Sequence, residues 1–133
     1  MTVERQQIVD LARTYLGVRW HHQGRCRAGL DCAGLIIVVG QELGLTSFDS
    51  YNYGRLPNGM LMEETLSREM IRVFNYQIGD VLLFRFEIEA QHVAIVTDRG
   101  IIHAYTQSRK FVEHSLDEVW KSRIVGIYSF KGL

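Results

Sequence analysis

With two cysteines in 133 residues, the chain cannot build the disulfide framework that small secreted domains use to supplement a thin core. It has one proline and neither a low-complexity stretch nor an internal repeat. Nothing therefore marks a linker, and a single domain over residues 1–133 is expected. An excess of charge is also missing: 15 Lys and Arg stand against 15 Asp and Glu. A neutral chain without a basic run carries no electrostatic footprint for nucleic acid or an anionic membrane. The longest apolar run, Leu35 to Val39, is far short of the roughly 20 residues a membrane span needs. The opening segment, MTVERQQIVDLARTYLG, places polar residues where an export signal needs an unbroken apolar core. The expectation is a soluble chain without a signal peptide, made in the cytoplasm and carried outward by something else if it acts there. At 47% hydrophobic and 23% charged residues, the composition excludes disorder and supplies a self-sufficient core.

Ile8, Leu11, Ala12, Tyr15 and Leu16 recur at helical spacing before Gly17, which predicts an amphipathic helix over 3–16. Residues 17–31 are rich in Gly and Arg without a period and read as an ordered loop. Asp31 is suited to cap the apolar stretch CAGLIIVVGQELG, because its carboxylate can accept an orphan backbone N–H. That stretch is apolar nearly all round, as expected of a buried helix ending near Gly44. Residues 45–59 read as an irregular excursion and 60–70 as a short helix. From there the pattern changes to strands: DVLLFRF, QHVAIVTD, GIIHAYT, KFVEHS and SRIVGIYSF, with turns at Asp98-Arg99-Gly100 and Gln107-Ser108-Arg109. SLDEVW is expected to form one helical turn capped by Ser115. Helices followed by an antiparallel meander define the α+β class.

Three residues stand out for chemistry. Cys32 sits in the first turn of the buried helix, where the helix dipole stabilises an anion and is expected to lower a thiol's pKa. The plain alternative is an inert core cysteine. His92 and His103 interrupt two apolar strands 11 residues apart across a tight turn, so a hairpin brings their rings together if they share a face. A buried ring needs a partner, and a second histidine supplies one. The three together point to a Cys–His–polar constellation in a single row at a cleft. In it His92 activates the thiol and His103 orients His92. The same side chains are chemically sound zinc ligands, with Cys26 as a fourth. The local ligand spacings of zinc sites (CxxC, HExxH) are absent, which weighs against metal. His21 and His22 lie in the loop before Cys32 and either line a substrate groove or are solvated. His114, near a strand end, reads as a surface residue. Arg25 and Arg27 form a small basic patch beside the cysteine, and are either a solvated part of the loop or shaped to recognise a substrate carboxylate.

The segment YLGVRWHHQGRCRAGLDCAGLI resembles the cysteine motif of the NlpC/P60 superfamily of cell-wall peptidases, and GDVLLFRF, QHVAIVTD and IIHAYT resemble its later motifs in the same order. The resemblance covers roughly residues 8–130, and the HHQGR variant looks most like the phage-tail branch. It implies a papain-like NlpC/P60 fold, with N-terminal helices packed on a C-terminal antiparallel β-sheet. It also implies a cofactor-free cysteine peptidase that hydrolyses an amide in peptidoglycan stem peptides, commonly the γ-D-glutamyl-diamino acid bond. By motif position Cys32 is the nucleophile, His92 the base and His103 the orienting residue. Trp20 stands where family members usually carry a tyrosine near the oxyanion site. Trp20, His22, Asp31 and Arg25 are the expected substrate and oxyanion residues. The expected partners are the peptidoglycan peptide and phage-tail proteins. The alternatives are a catalytically silent tail-assembly protein of the same fold, favoured by Trp20, and a thiol acyltransferase.

Overall fold

The computed structural model of the chain describes residues 3–46, 49, 59–86, 89–104 and 109–133, with the side chains of 59–61, 86 and 89–91 left aside. Four helices and eight strands are assigned among them. Helix α1 (Arg5–Arg13) buries Ile8, Val9 and Ala12. Its start is closed by the Glu4 N–H donating to Gln7 Oε1 at 2.7 Å. The helix is shorter than its apolar period: Thr14 and Tyr15 continue only as single turns, and Gly17 at φ +87° redirects the chain. That conformation favours glycine because it lacks a Cβ. The Gly/Arg-rich loop contains a two-residue hairpin, β1 (Arg25–Cys26) against β2 (Gly29–Leu30). Strands this short leave no alternation to read in the sequence.

Helix α2 (Cys32–Glu42) buries every residue from Gly34 to Gly40, as its all-round apolar character requires. Most of the excursion at 45–59 lies outside the described residues, as does the 107–108 part of the second turn. Helix α3 (Gly59–Glu69) follows, then β3 (Ile71–Val73). Strand β3 is largely exposed and too short to show a period, so no alternation marks it in the sequence. The remaining elements are β4 (Val81–Phe86), β5 (Glu89–Thr97), β6 (Gly100–Ala104), β7 (Phe111–His114), α4 (Glu118–Lys121) and β8 (Ile124–Ser129). The five strands among them join β3 in one six-stranded antiparallel sheet, in the order β3-β8-β4-β5-β6-β7.

Alternation in β4 to β6 divides the core in two. Val81, Leu83, Val93, Ile95, Ile102 and Ala104 pack with Ile8, Leu35, Val39 and Leu66 of the helices. Leu82, Phe84, Ala94, Val96 and Ile101 face the other way and are covered by Leu116 and Trp120. The capping residue of α4 is Asp117, whose side chain accepts the Trp120 N–H at 3.0 Å. Ser115, expected as the cap, lies two residues ahead of the capping position because the helix begins only at Glu118, and its carbonyl meets His114.

One buried carboxylate joins the two halves of the chain. Gly79, at φ +83°, turns the backbone into β4, and Asp80 beside it is fully buried. Asp80 accepts from Arg5 Nη1 at 2.6 Å, the Gln77 N–H at 2.9 Å and Ser129 Oγ at 2.5 Å. It thus ties α1 to the strands at both ends of the sheet-forming sequence. Burying this charge is tolerable because its lone pairs are occupied by donors, one of them cationic.

Candidate functional site

The site begins at the start of α2. Asp31 is its N-cap: Oδ1 accepts the Gly34 N–H at 2.7 Å, and Oδ2 accepts the Gln23 N–H at 2.8 Å. Arg25 Nη1 reaches the same carboxylate at 3.3 Å. Gly34 is required by this crowding, since a Cβ there would lie 2.5 Å from the Gly24 carbonyl and 2.9 Å from Asp31 Oδ1. Cys32 is the first residue of the capped helix and is partly exposed. Backbone N–H groups of Val93, Ala33 and Cys32 itself are directed at its sulfur. The ladder between β5 and β6 is registered only from Ile95↔Ile102 to Thr97↔Gly100. It stops short of Val93, and the sulfur therefore lies against the peptide that links His92 to Val93.

The thiol pKa moves opposite to the expectation from the helix dipole. Withdrawal of the sulfur from water, followed by the neighbouring Asp31 carboxylate, pushes it up to about 11. The surrounding N–H groups act the other way and are outweighed. A cap that closes the helix with a carboxylate places negative charge next to any thiolate, and this cancels the dipole's benefit.

His92 and His103 do share a face, the one covered by Trp120. His92 Nε2 is 2.6 Å from His103 Nδ1, and the ring centroids are 4.8 Å apart. The row does not end there. His103 Nε2 is 2.7 Å from His114 Nε2, and His114 Nδ1 lies 2.9 Å from the Ser115 carbonyl. His114 is thus only half-exposed and is the third ring of the row, because β7 pairs with β6 in a register that sets Ile101 opposite His114. Trp120 lies edge-on to His103, with centroids 4.8 Å apart, and also contacts His92 and His114. Burial lowers the pKa of His92 to about 4. Burial, followed by the charges of its two neighbours, lowers His103 to about 2. Both rings are neutral at physiological pH. The sequence did hold a signal for His114: the separation of 11 residues between the first two histidines repeats between the second and third.

The other residues singled out in the sequence are distributed around this centre. Trp20 is 42% exposed. Its backbone pairs with Leu30 just before the cap, and its ring centroid lies 6.4 Å from that of His22. Trp20 and His22 therefore flank the approach to α2. Arg25 is held by Asp31 and by Asp49, at 2.9 Å from Nε, and so serves the loop as well as the cap. Arg27 bonds the Thr14 carbonyl at 2.8 Å and stacks over Tyr15, so its guanidinium is engaged by the end of α1. Cys26 is exposed in β1. Among the described residues no group of three His, Cys, Asp or Glu side chains is arranged to hold a metal ion. Nor is any described helix long and apolar enough to cross a membrane.

Comparison with known proteins gives a consistent result. The sequence profile of the NlpC/P60 family matches residues 17–129. The murein DD-endopeptidase MepS/murein LD-carboxypeptidase of Escherichia coli is 26% identical over 121 residues, which cover 90% of this chain and 59% of that protein. The chain thus spans about three fifths of the length of this curated relative. Among solved structures, an NlpC/P60 family protein from Bacillus cereus superposes with a TM-score of 0.75 at 20% identity, over 98% of this chain and 41% of the other. The NlpC/P60 domain of the peptidoglycan hydrolase SagA superposes with a TM-score of 0.64 at 21% identity, over 96% of this chain and all of that domain.

Proposed function

This chain belongs to the NlpC/P60 family, and from that premise we propose that it is a cysteine peptidase hydrolysing an amide bond of peptidoglycan stem peptides. The observation that carries the reading is the placement of the Cys32 sulfur against the His92–Val93 peptide, where His92 begins a hydrogen-bonded row of imidazoles. His92 Nε2 is committed to His103, so Nδ1 is the nitrogen that serves the thiol. Cys32 is the nucleophile, His92 the general base and His103 the residue that orients it.

The raised thiol pKa and lowered imidazole pKa make the resting pair neutral. The proton therefore moves during attack rather than before it. As sulfur bonds the scissile carbonyl carbon, its proton passes to His92 Nδ1. The carbonyl oxygen becomes an oxyanion facing the backbone N–H groups at the start of α2, where one such donor lowers the barrier by about 3–4 kcal/mol. The C–N bond breaks as His92 returns the proton to the leaving amine. Water then attacks the thioester, giving its proton to His92 and releasing the carboxylate and the thiol. Trp20 and His22, at the approach to the helix, contact the substrate. The Trp20 indole N–H, a donor only, replaces a phenol.

Digestion of purified peptidoglycan followed by mass spectrometry of the soluble muropeptides tests this reading. Release by the wild-type chain and none by folded Cys32→Ala is the expected result. Muropeptides unchanged by the wild-type chain would instead assign a tail-assembly or scaffold role, which Trp20 favours. The masses also assign the bond. Fragments ending at D-glutamate identify the γ-D-glutamyl-diamino acid bond, whereas cleaved cross-links match the activity for which the E. coli relative is named. Delivery within a phage-tail particle is part of the proposal, supported by the HHQGR variant, and is tested by probing purified particles for the chain.

A further inference from the structure

The outer end of the histidine row meets a group that has only one hydrogen-bonding role. A backbone carbonyl accepts and never donates, so His114 Nδ1, 2.9 Å from the Ser115 carbonyl, carries a proton. With that as its single proton, His114 presents Nε2 as a lone pair, and His103 Nε2 donates to it across 2.7 Å. With its proton on Nε2, His103 presents Nδ1 as an acceptor, and His92 Nε2 must donate across 2.6 Å. His92 thus has its proton on Nε2 and a lone pair on Nδ1. We propose that His114 is a positioning residue: with the Ser115 carbonyl it sets, through His103, the tautomer in which His92 Nδ1 is a base.

Two features of the fold keep this arrangement in place. Gly100, at φ +138°, allows the end of β7 to close over the turn, since a Cβ there would collide with the His114 carbonyl. Trp120 packs against all three rings. The same row gives positive charge an exit. When His92 Nδ1 takes up a proton, the Nε2 proton can pass to His103 Nδ1, and the His103 Nε2 proton to His114 Nε2. Each ring then keeps one proton except His114, which holds two, and the net gain is the one proton accepted. Burial makes His92 and His103 poor carriers of charge, while His114 is the least buried ring.

The proposal rests on the reading of His92 as the general base, but its test does not need turnover. Long-range 15N–1H NMR of the imidazoles reports which nitrogen of each ring is protonated. At neutral pH the wild-type chain should show His92 and His103 protonated on Nε2 and His114 on Nδ1. His114→Gln supplies an amide oxygen that accepts from His103 and should keep the pattern, with kcat within a few fold. His114→Lys can only donate. It should move the His103 and His92 protons to Nδ1 and lower kcat at least a hundredfold with KM little changed. A wild-type His92 protonated on Nδ1, or a His92 tautomer indifferent to His114→Lys in the folded chain, overturns the proposal. The wild-type spectrum decides alone if the lysine variant does not fold. Intact tautomers without muropeptide release would sink the peptidase reading and leave this one standing. Cleavage with His92 protonated on Nδ1 would do the reverse.

Discussion

Lowering the pH should destabilise this protein well before its carboxylates titrate, because two neutral histidines are buried in the row. A histidine whose folded pKa lies below its unfolded value binds fewer protons in the folded state. Stability is then full above the unfolded pKa and is lost as pH falls toward the folded one. For His92 the window runs from about 6.5 in the unfolded chain down to about 4. Protonation of the unfolded state alone then costs about 2 kcal/mol between pH 8 and pH 5, at 1.36 kcal/mol per pKa unit. His103 is lowered further and acts in the same direction. Arg13 lowers Asp98, and Glu113, though burial pushes it up, is lowered on balance by Arg13 and Thr97. Their contributions fade only below the ordinary carboxylate range, so the window between pH 5 and 6.5 isolates the histidines. With about 2 kcal/mol from each ring, urea unfolding followed by tryptophan fluorescence should show a midpoint about 2 M lower at pH 5 than at pH 8, for an m-value of about 2 kcal/mol/M. His92→Gln should flatten that dependence by about the amount assigned to His92. A midpoint that stays constant or rises on acidification would refute the idea that these rings are held neutral by burial.

Other consequences concern the thiol, the buried carboxylate and the tight turn. With the Cys32 pKa near 11 instead of 9, iodoacetamide should alkylate it about a hundredfold more slowly at pH 7–8 than an ordinary thiol. Exposed Cys26 serves as the internal reference, and peptide mapping that finds Cys32 the faster of the two at pH 7 would contradict the neutral resting pair. Asp31→Asn keeps a capping side chain but removes the adjacent charge, so it should speed that alkylation. Asp80→Ala should lower stability by about 2–4 kcal/mol in chemical denaturation, since Arg5, Ser129 and the Gln77 N–H all lose their acceptor. A loss below about 1 kcal/mol would show that the cluster is dispensable. Gly100→Ala should cost about 1–3 kcal/mol from its backbone conformation. It should also displace the His114 resonances, whereas an unshifted His114 would mean the turn does not hold the row.

Much of this organisation is legible in the sequence because period and burial agree. The alternating strands from Val81 onward, the all-round apolar α2 and the Asp31 cap each follow from local chemistry. The pairing of His92 with His103 follows from a short turn between two apolar runs. What the sequence hid depends on tertiary context. The strand Ile71–Val73 exists because β8 offers it an edge, not because three residues carry a pattern. The Gly-Asp pair at 79–80 resembles a motif, but its role in holding Arg5 and Ser129 spans 75 and 49 residues. His114 reads as a surface residue from its place at a strand end, whereas the register of β6 and β7 places it beside His103. The thiol pKa depends on tertiary context for a related reason: burial of the sulfur raises it, and the carboxylate that makes a good cap also opposes a thiolate.

Whether the Cys32 sulfur becomes covalently bound to substrate is the most direct question. Acid quenching of the wild-type chain during turnover on isolated stem peptide, followed by intact-mass analysis and peptide mapping, answers it. A transient thioester at Cys32, heavier by the acyl fragment and absent from Cys32→Ala, is the result expected. Steady release of product with no adduct on this residue, or at undiminished rate by Cys32→Ala, would contradict the account at its centre.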